Sequence, residues 1–237
     1  MTRPQAIAAN LADVRARIAA AERAAGRAPG SVRLVAVSKK MTLDDIRTAL
    51  ATGQRAFGES YGQELRDKRA ALTGAEPPLE WHFIGPLQSN KVKYVAGQVA
   101  LIHAVDSTVL IEAIEARGAP QPCLVQVNVA GEAQKRGVAP AELPGLLDRF
   151  TPLRFARCEG LMLIPPLAGR PEDGRRHFVA LRALRDREVA RARPNVELGE
   201  LSMGMSGDFE LAIAEGATLV RVGAAIFGGR VSLGPGP

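Results

Sequence analysis

Eight short apolar runs, separated by stretches of helical pattern, recur along this 237-residue chain. They are RLVAVS (33–38), RAFG (55–58), EWHFI (80–84), ALIHAV (100–105), PCLVQVNV (122–129), RFARCEGLMLI (154–164), VELGELS (196–202) and TLVRVG (218–223). Most are near-continuously apolar rather than alternating, as expected of strands covered on both faces. A helical pattern follows each of the first seven; after the third it is only a short stretch following LQSNK. Right-handed βαβ units repeated eight times close into a barrel. The expected fold is therefore α/β, a (β/α)8 TIM barrel. An extra helix precedes it, with Ile7, Leu11, Val14 and Ile18 on one face.

An open doubly wound sheet is the alternative. It usually marks its switch point with a Gly-rich turn. The first turn here is SKKMT, without G-x-G-x-x-G or a P-loop. Nothing rich in Pro, Gly or Ser divides the chain, so residues 1–237 read as a single domain whose tail, from about 231, frays.

Composition narrows the function classes. The formal charge is +6, which invites a nucleic-acid partner. The basic residues are scattered, however, and no zinc-finger or RNA-binding signature accompanies them, so no nucleic-acid partner is expected. His82, His103 and His177 are too dispersed for a metal set. Cys123 and Cys158 sit in or beside apolar runs and read as small buried hydrophobes. The start lacks the apolar core of a signal peptide, and no 18-residue apolar segment exists. A cytoplasmic protein without a membrane partner is the expectation, and a monomer.

In a barrel of this type chemistry sits at the C-terminal strand ends. Lys39 occupies that position on the first strand. An amine partly desolvated by the barrel wall becomes a nucleophile toward aldehydes; alternatively, Lys39 and Lys40 simply snorkel into solvent. The loops SMGMSGD after strand seven and GAAIFGG after strand eight are built from small residues and open toward helical patterns. That is the usual phosphate position in this fold. Barrel closure makes the amine and the anion cradle neighbours. Pyridoxal 5′-phosphate (PLP), an aldehyde carrying a phosphate, suits the pair. Arg221, two residues before Gly223, reaches either the ring nitrogen or the phosphate, or forms an ion pair at the rim.

Read together, LVAVSK, FGESYGQEL, WHFIGPLQSNK, HAVDS, VQVNVAGEAQKRGV, GLMLIPP, LSMGMSGDFELAI and GATLVRVGAAIFG resemble the pyridoxal-phosphate homeostasis protein family. These are single-barrel relatives of the alanine racemase N-terminal domain, the fold-type III group. The resemblance implies Lys39 as the Schiff-base lysine. It implies Ser206 at the phosphate, helped by the amides of Gly223 and Ala224, and Arg221 facing the pyridine nitrogen, with phosphate contact as the alternative. It further implies a protein that holds PLP and takes part in vitamin B6 homeostasis without turnover, with PLP-dependent apo-enzymes as recipients.

Two positions depart from the family pattern. Ser60 stands where FGENY is usual, and Ala224 where Ser or Thr is frequent. The second loses one phosphate hydrogen bond, worth about 1 kcal/mol.

The competing reading is a racemase or decarboxylase of the same fold type. It needs acid and base on both faces of the cofactor. Such racemases complete that pair with a C-terminal β domain, for which the chain leaves no room; hence no enzyme activity is expected. A class I aldolase shares the lysine, but GLMLI in strand six carries none.

Overall fold

The computed structural model describes residues 1–228 apart from 77, 133 and 167–169. The tail expected to fray from about 231 lies outside the described residues.

Eight parallel strands form a closed barrel in chain order. They are β1 (Arg33–Val37), β2 (Ala56–Glu59), β3 (Glu80–Phe83), β4 (Leu101–Val105), β5 (Gln121–Gln126), β6 (Ala156–Met162), β7 (Val196–Ser202) and β8 (Leu219–Val222). Around them lie α1 (Arg3–Ala24), α2 (Leu43–Ala51), α3 (Gly62–Ala71), α4 (Thr108–Glu115), α5 (Leu143–Asp148), α6 (Pro171–Val189), α7 (Phe209–Ala214) and α8 (Ala224–Phe227). This is the expected (β/α)8 barrel with its additional N-terminal helix.

The differences are local. The connection after β3 is a 3-10 helix, Ser89–Tyr94, instead of an α-helix; six residues are too few to gain much from α propagation. β5 stops at Gln126, short of the expected 129; Val127 still donates to the Met162 carbonyl but pairs with Val138 in an isolated bridge. β6 is trimmed at both ends.

Alternation along the strands divides the core. Val35, Leu101, Ala104, Leu124, Met162 and Leu219 form a small cluster of their own, which fills the barrel interior. A much larger cluster lies between strands and helices and includes Phe57, Ile102, Leu161 and Phe209. Gly160 marks a point where no side chain fits. A Cβ there would lie 2.0 Å from the Glu200 carbonyl on β7.

The α1 helix begins with a capping box between Thr2 and Gln5. Its apolar face, Ile7, Leu11, Val14 and Ile18, is buried as its spacing predicts. It packs on α2, α7 and α8. Each such side chain contributes roughly 1.5–3 kcal/mol. Directional ties fix the register: Asn10 Nδ2 donates to the Ile226 carbonyl at 2.9 Å, and Arg27 Nη1 to the Ala217 carbonyl at 2.6 Å. The helix thereby braces the outside of the seam between the last and first strands.

Candidate functional site

The seam between β1 and β8 carries the site. Val35 pairs with Arg221 and Ala36 with Val222, so the two strands end side by side. Lys39, Gly223 and Ala224, far apart in sequence, line one cleft of about 340 Å³ together with Val37, Lys40, Met41, Tyr61, Phe227 and Gly228.

Lys39 sits in a turn clamped from below. The Met41 amide donates to the Ser38 carbonyl at 2.9 Å. The same carbonyl accepts from Lys68 Nζ at 2.7 Å. Ser38 Oγ donates to Glu59 Oε1 at 2.6 Å, and Lys68 reaches that oxygen at 2.8 Å and Glu64 Oε1 at 2.7 Å. Glu64 Oε1 also accepts from the Lys40 amide at 2.5 Å. Lys40 itself adopts φ +62°, the left-handed region.

Glu59 is fully buried, and its Oε2 has no partner among the described residues. Burial pushes its carboxyl up, while Lys68 pulls the other way. The chain therefore spends a buried ion pair on fixing a three-residue turn.

Lys39 differs from expectation in one respect. Its side chain is exposed rather than desolvated by the barrel wall, because β1 ends at Val37 and Lys39 stands two residues beyond, on the turn. Lys40 lies on the same cleft, its Nζ 5.9 Å from the centre of the Tyr61 ring.

On the other side of the seam, Ser206 Oγ accepts the Gly223 amide at 3.3 Å and the Ala225 amide at 3.2 Å. Ala224, between them, lines the cleft. The loop carrying Ser206 is rigidly folded. Gly204 takes φ +91°, and a Cβ there would lie 2.7 Å from that of Ala212. The Met205 amide donates to Asp208 Oδ1 at 2.6 Å, and the Arg221 amide to the Gly204 carbonyl at 3.0 Å.

Arg221 is not a rim residue. Its side chain is buried, with Nη1 donating to Ser202 Oγ at 2.5 Å and Nη2 to the Leu163 carbonyl at 2.9 Å. Burial pushes it down to about 10, with Asp208 opposing, so it remains a cation at neutral pH. Burial also raises Asp208, against the Met205 amide and the Arg221 charge.

The sequence model for "Alanine racemase, N-terminal domain" matches residues 5–231. A pyridoxal phosphate homeostasis protein of Pseudomonas aeruginosa is 46% identical over 228 residues, covering 94% of this chain and 96% of its own. The chain belongs to that family. A second member, from Aquifex aeolicus, is 45% identical over 224 residues, covering 93% of this chain and 96% of its own. The structure of PipY from Synechococcus elongatus with PLP bound superposes with a TM-score of 0.80 at 37% identity, covering 94% of this chain and all of that one. Family membership accounts for the fold and for the motifs quoted above.

Sequence reasoning singled out Lys39, Ser206, Arg221, Gly223 and Ala224; the structure sets Lys39, Gly223 and Ala224 on one cleft, bonds Ser206 to the β8–α8 turn, and turns the Arg221 side chain into the barrel. It did not find the Glu59–Lys68 clamp or the partners of Arg221. Tyr61 and Phe227, both on the cleft, were also missed. Their only signal was position, immediately after β2 and within α8. Gln88 and Lys91 line a separate cleft with Tyr61 and Arg136. Asn128 and Lys135 tie down their own loop, Asn128 Nδ2 donating to the Glu132 carbonyl at 2.8 Å and Lys135 Nζ to that of Pro165 at 3.0 Å.

Proposed function

We propose that this chain holds PLP at the β1–β8 seam and takes part in intracellular vitamin B6 homeostasis without turning over a substrate. One observation carries the reading: an accessible lysine amine and the β8–α8 turn share a single cleft, beside a serine hydroxyl on which two backbone amides converge. When bound, PLP supplies an aldehyde that reacts reversibly with amines, and a dianionic phosphate. The residues present fit both ends. Lys39 offers the amine. Ser206 and the amides of Gly223, Ala224 and Ala225 offer hydrogen-bond donors to the phosphate. Arg221 offers a cation to the ring nitrogen. The bound PLP of the Synechococcus relative supports the assignment.

The role proposed for Arg221 favours absence of turnover. A guanidinium donating to the ring nitrogen keeps that nitrogen unprotonated, and the ring is then a weak electron sink. The homeostasis role named for the relatives agrees. PLP-dependent apo-enzymes are the natural recipients, and residues 1–237 act as one monomeric PLP-binding unit. Two free, buried cysteines suit a reducing cytoplasm. Among the described residues no helix is long and apolar enough to cross a membrane.

The test is spectroscopic. Adding PLP to the purified protein is expected to give a visible absorbance band absent in Lys39→Ala, with no racemisation or decarboxylation of an amino-acid panel above that of free PLP. Turnover well above that background overturns the non-enzymatic reading; no band in the unmodified protein overturns PLP binding itself.

A further inference from the structure

A line of polar side chains crosses the otherwise apolar barrel interior. It starts at Arg221 on β8, whose Nη1 meets Ser202 Oγ on β7 at 2.5 Å. Ser202 Oγ is 2.8 Å from His103 Nδ1 on β4. His103 Nε2 is 2.8 Å from His82 Nδ1 on β3. His82 Nε2 is 3.0 Å from Glu80 Oε1, at the start of the same strand. Ser202 and His103 are fully buried, and His82 and Arg221 nearly so. Only Glu80, with a side chain 40% exposed, reaches the outside, where Arg33 Nη1 lies 3.5 Å away.

The two ends fix the direction of every bond between them. A guanidinium only donates, so Ser202 accepts from Arg221 and its own proton goes to His103 Nδ1. His103 then carries its proton on Nε2 and donates to His82 Nδ1. His82 in turn carries its proton on Nε2 and donates to Glu80. Starting from the other end gives the same answer, because a carboxylate only accepts. A proton on the wrong nitrogen of either imidazole would leave two donors, or two acceptors, facing each other in the barrel core, at a cost set by their burial.

The charges agree with this polarity. Burial holds His103 well below the ordinary range, and the nearby charges of Arg221 and Arg33 push the same way. Glu80 is held low, chiefly by its bond from His82.

We propose that Ser202, His103, His82 and Glu80 are positioning residues: a one-way hydrogen-bond chain that pins Arg221 as an oriented, charged donor inside the barrel, close to the β8–α8 turn. The proposal rests on the PLP reading only for what Arg221 meets there. The chain spends one guanidinium nitrogen on Ser202 and another on the Leu163 carbonyl, which removes rotation about the end of the side chain. A ring nitrogen then meets a donor of fixed direction, and selection among B6-like ligands becomes geometric.

The test uses heteronuclear NMR of the imidazole and guanidinium nitrogens in the intact protein, together with PLP titration. At neutral pH His103 is expected as the neutral tautomer protonated on Nε2, His82 to present a bare Nδ1 to it and its Nε2 proton to Glu80, and the Nη protons of Arg221 as slowly exchanging signals. Ser202→Ala is expected to abolish that slow exchange and weaken PLP binding about tenfold while circular dichroism stays unchanged. His103→Gln, whose amide both accepts and donates, is expected to retain much of it. If Ser202→Ala does not fold, the tautomers of the unmodified protein still decide. A proton on Nδ1 of His103 or on Nδ1 of His82, or Arg221 signals indifferent to Ser202→Ala, overturns the chain. If the unmodified protein takes up no PLP, the functional reading falls while the NMR result stands; correct binding with inverted tautomers sinks this inference alone.

Discussion

Val35 and Arg221 are register partners across the seam that closes the barrel. One is an apolar interior residue of the first strand; the other is the buried cation of the last. The pairing sets Val37 beside Gly223 and so places the turn bearing Lys39 against the β8–α8 turn.

Gly223 is the tightest point of that arrangement. A Cβ there would lie 3.2 Å from Val37 Cβ and 3.4 Å from the Val37 carbonyl. Its φ of −122° suits any residue, so the constraint is space. Gly223→Val is expected to crowd the seam and narrow the cleft, costing about 1–3 kcal/mol of stability and weakening PLP retention more than tenfold. Urea denaturation and equilibrium dialysis check the two parts; full PLP retention would contradict the cleft assignment.

The Lys68–Glu59 pair is buried, with relative side-chain exposures of 8% and 0%. Removing one partner of such a pair costs about 3–5 kcal/mol. Lys68→Met is therefore expected to destabilise by that amount, and Lys68→Met with Glu59→Leu by clearly less than the two single changes summed. Additive single changes, measured by chemical denaturation, would show that the clamp is not an energetic unit.

His103 makes stability depend on pH with a definite sign. Its folded pKa lies well below the ordinary imidazole value of 6.5, so between the two values the unfolded chain binds the extra proton. Stability from this group is complete above about 6.5 and is lost progressively as pH falls toward the folded value. Unfolding free energies of the unmodified protein and His103→Gln should converge or cross between pH 8 and pH 5 as the former declines more steeply. Parallel profiles would mean that His103 is not held neutral in the barrel.

The N-terminal helix braces the seam from outside. Leu11 is fully buried against the core. Leu11→Ala is expected to cost about 2–5 kcal/mol, seen as a lower urea midpoint. A change below 1 kcal/mol would mean that α1 docks only loosely.

The strands were legible because burial on both faces writes long apolar runs, and even the four-residue β2 kept enough of that signal in RAFG. Lys39 and Gly223 were legible because strand ends and small-residue loops have a known place in a closed barrel, whereas Ser206 came from the family resemblance. The clamp under Lys39 was not. Ser38, Glu59, Glu64 and Lys68 come from three elements, and each alone reads as a cap or a surface charge. The interior chain was hidden for a similar reason. His82 and His103 read as histidines too dispersed for a metal set, and nothing in sequence joins them to Ser202 or Arg221, which they meet only when strands on different sides of the barrel face inward. The expected desolvation of Lys39 failed by two residues, the distance between the end of β1 and the turn.

Borohydride reduction of the PLP-loaded protein, followed by peptide mass spectrometry, tests the central claim most directly. The account predicts one phosphopyridoxyl adduct, on Lys39, lost in Lys39→Ala. An adduct on Lys40, or on a lysine away from the β1–β8 seam, would contradict it.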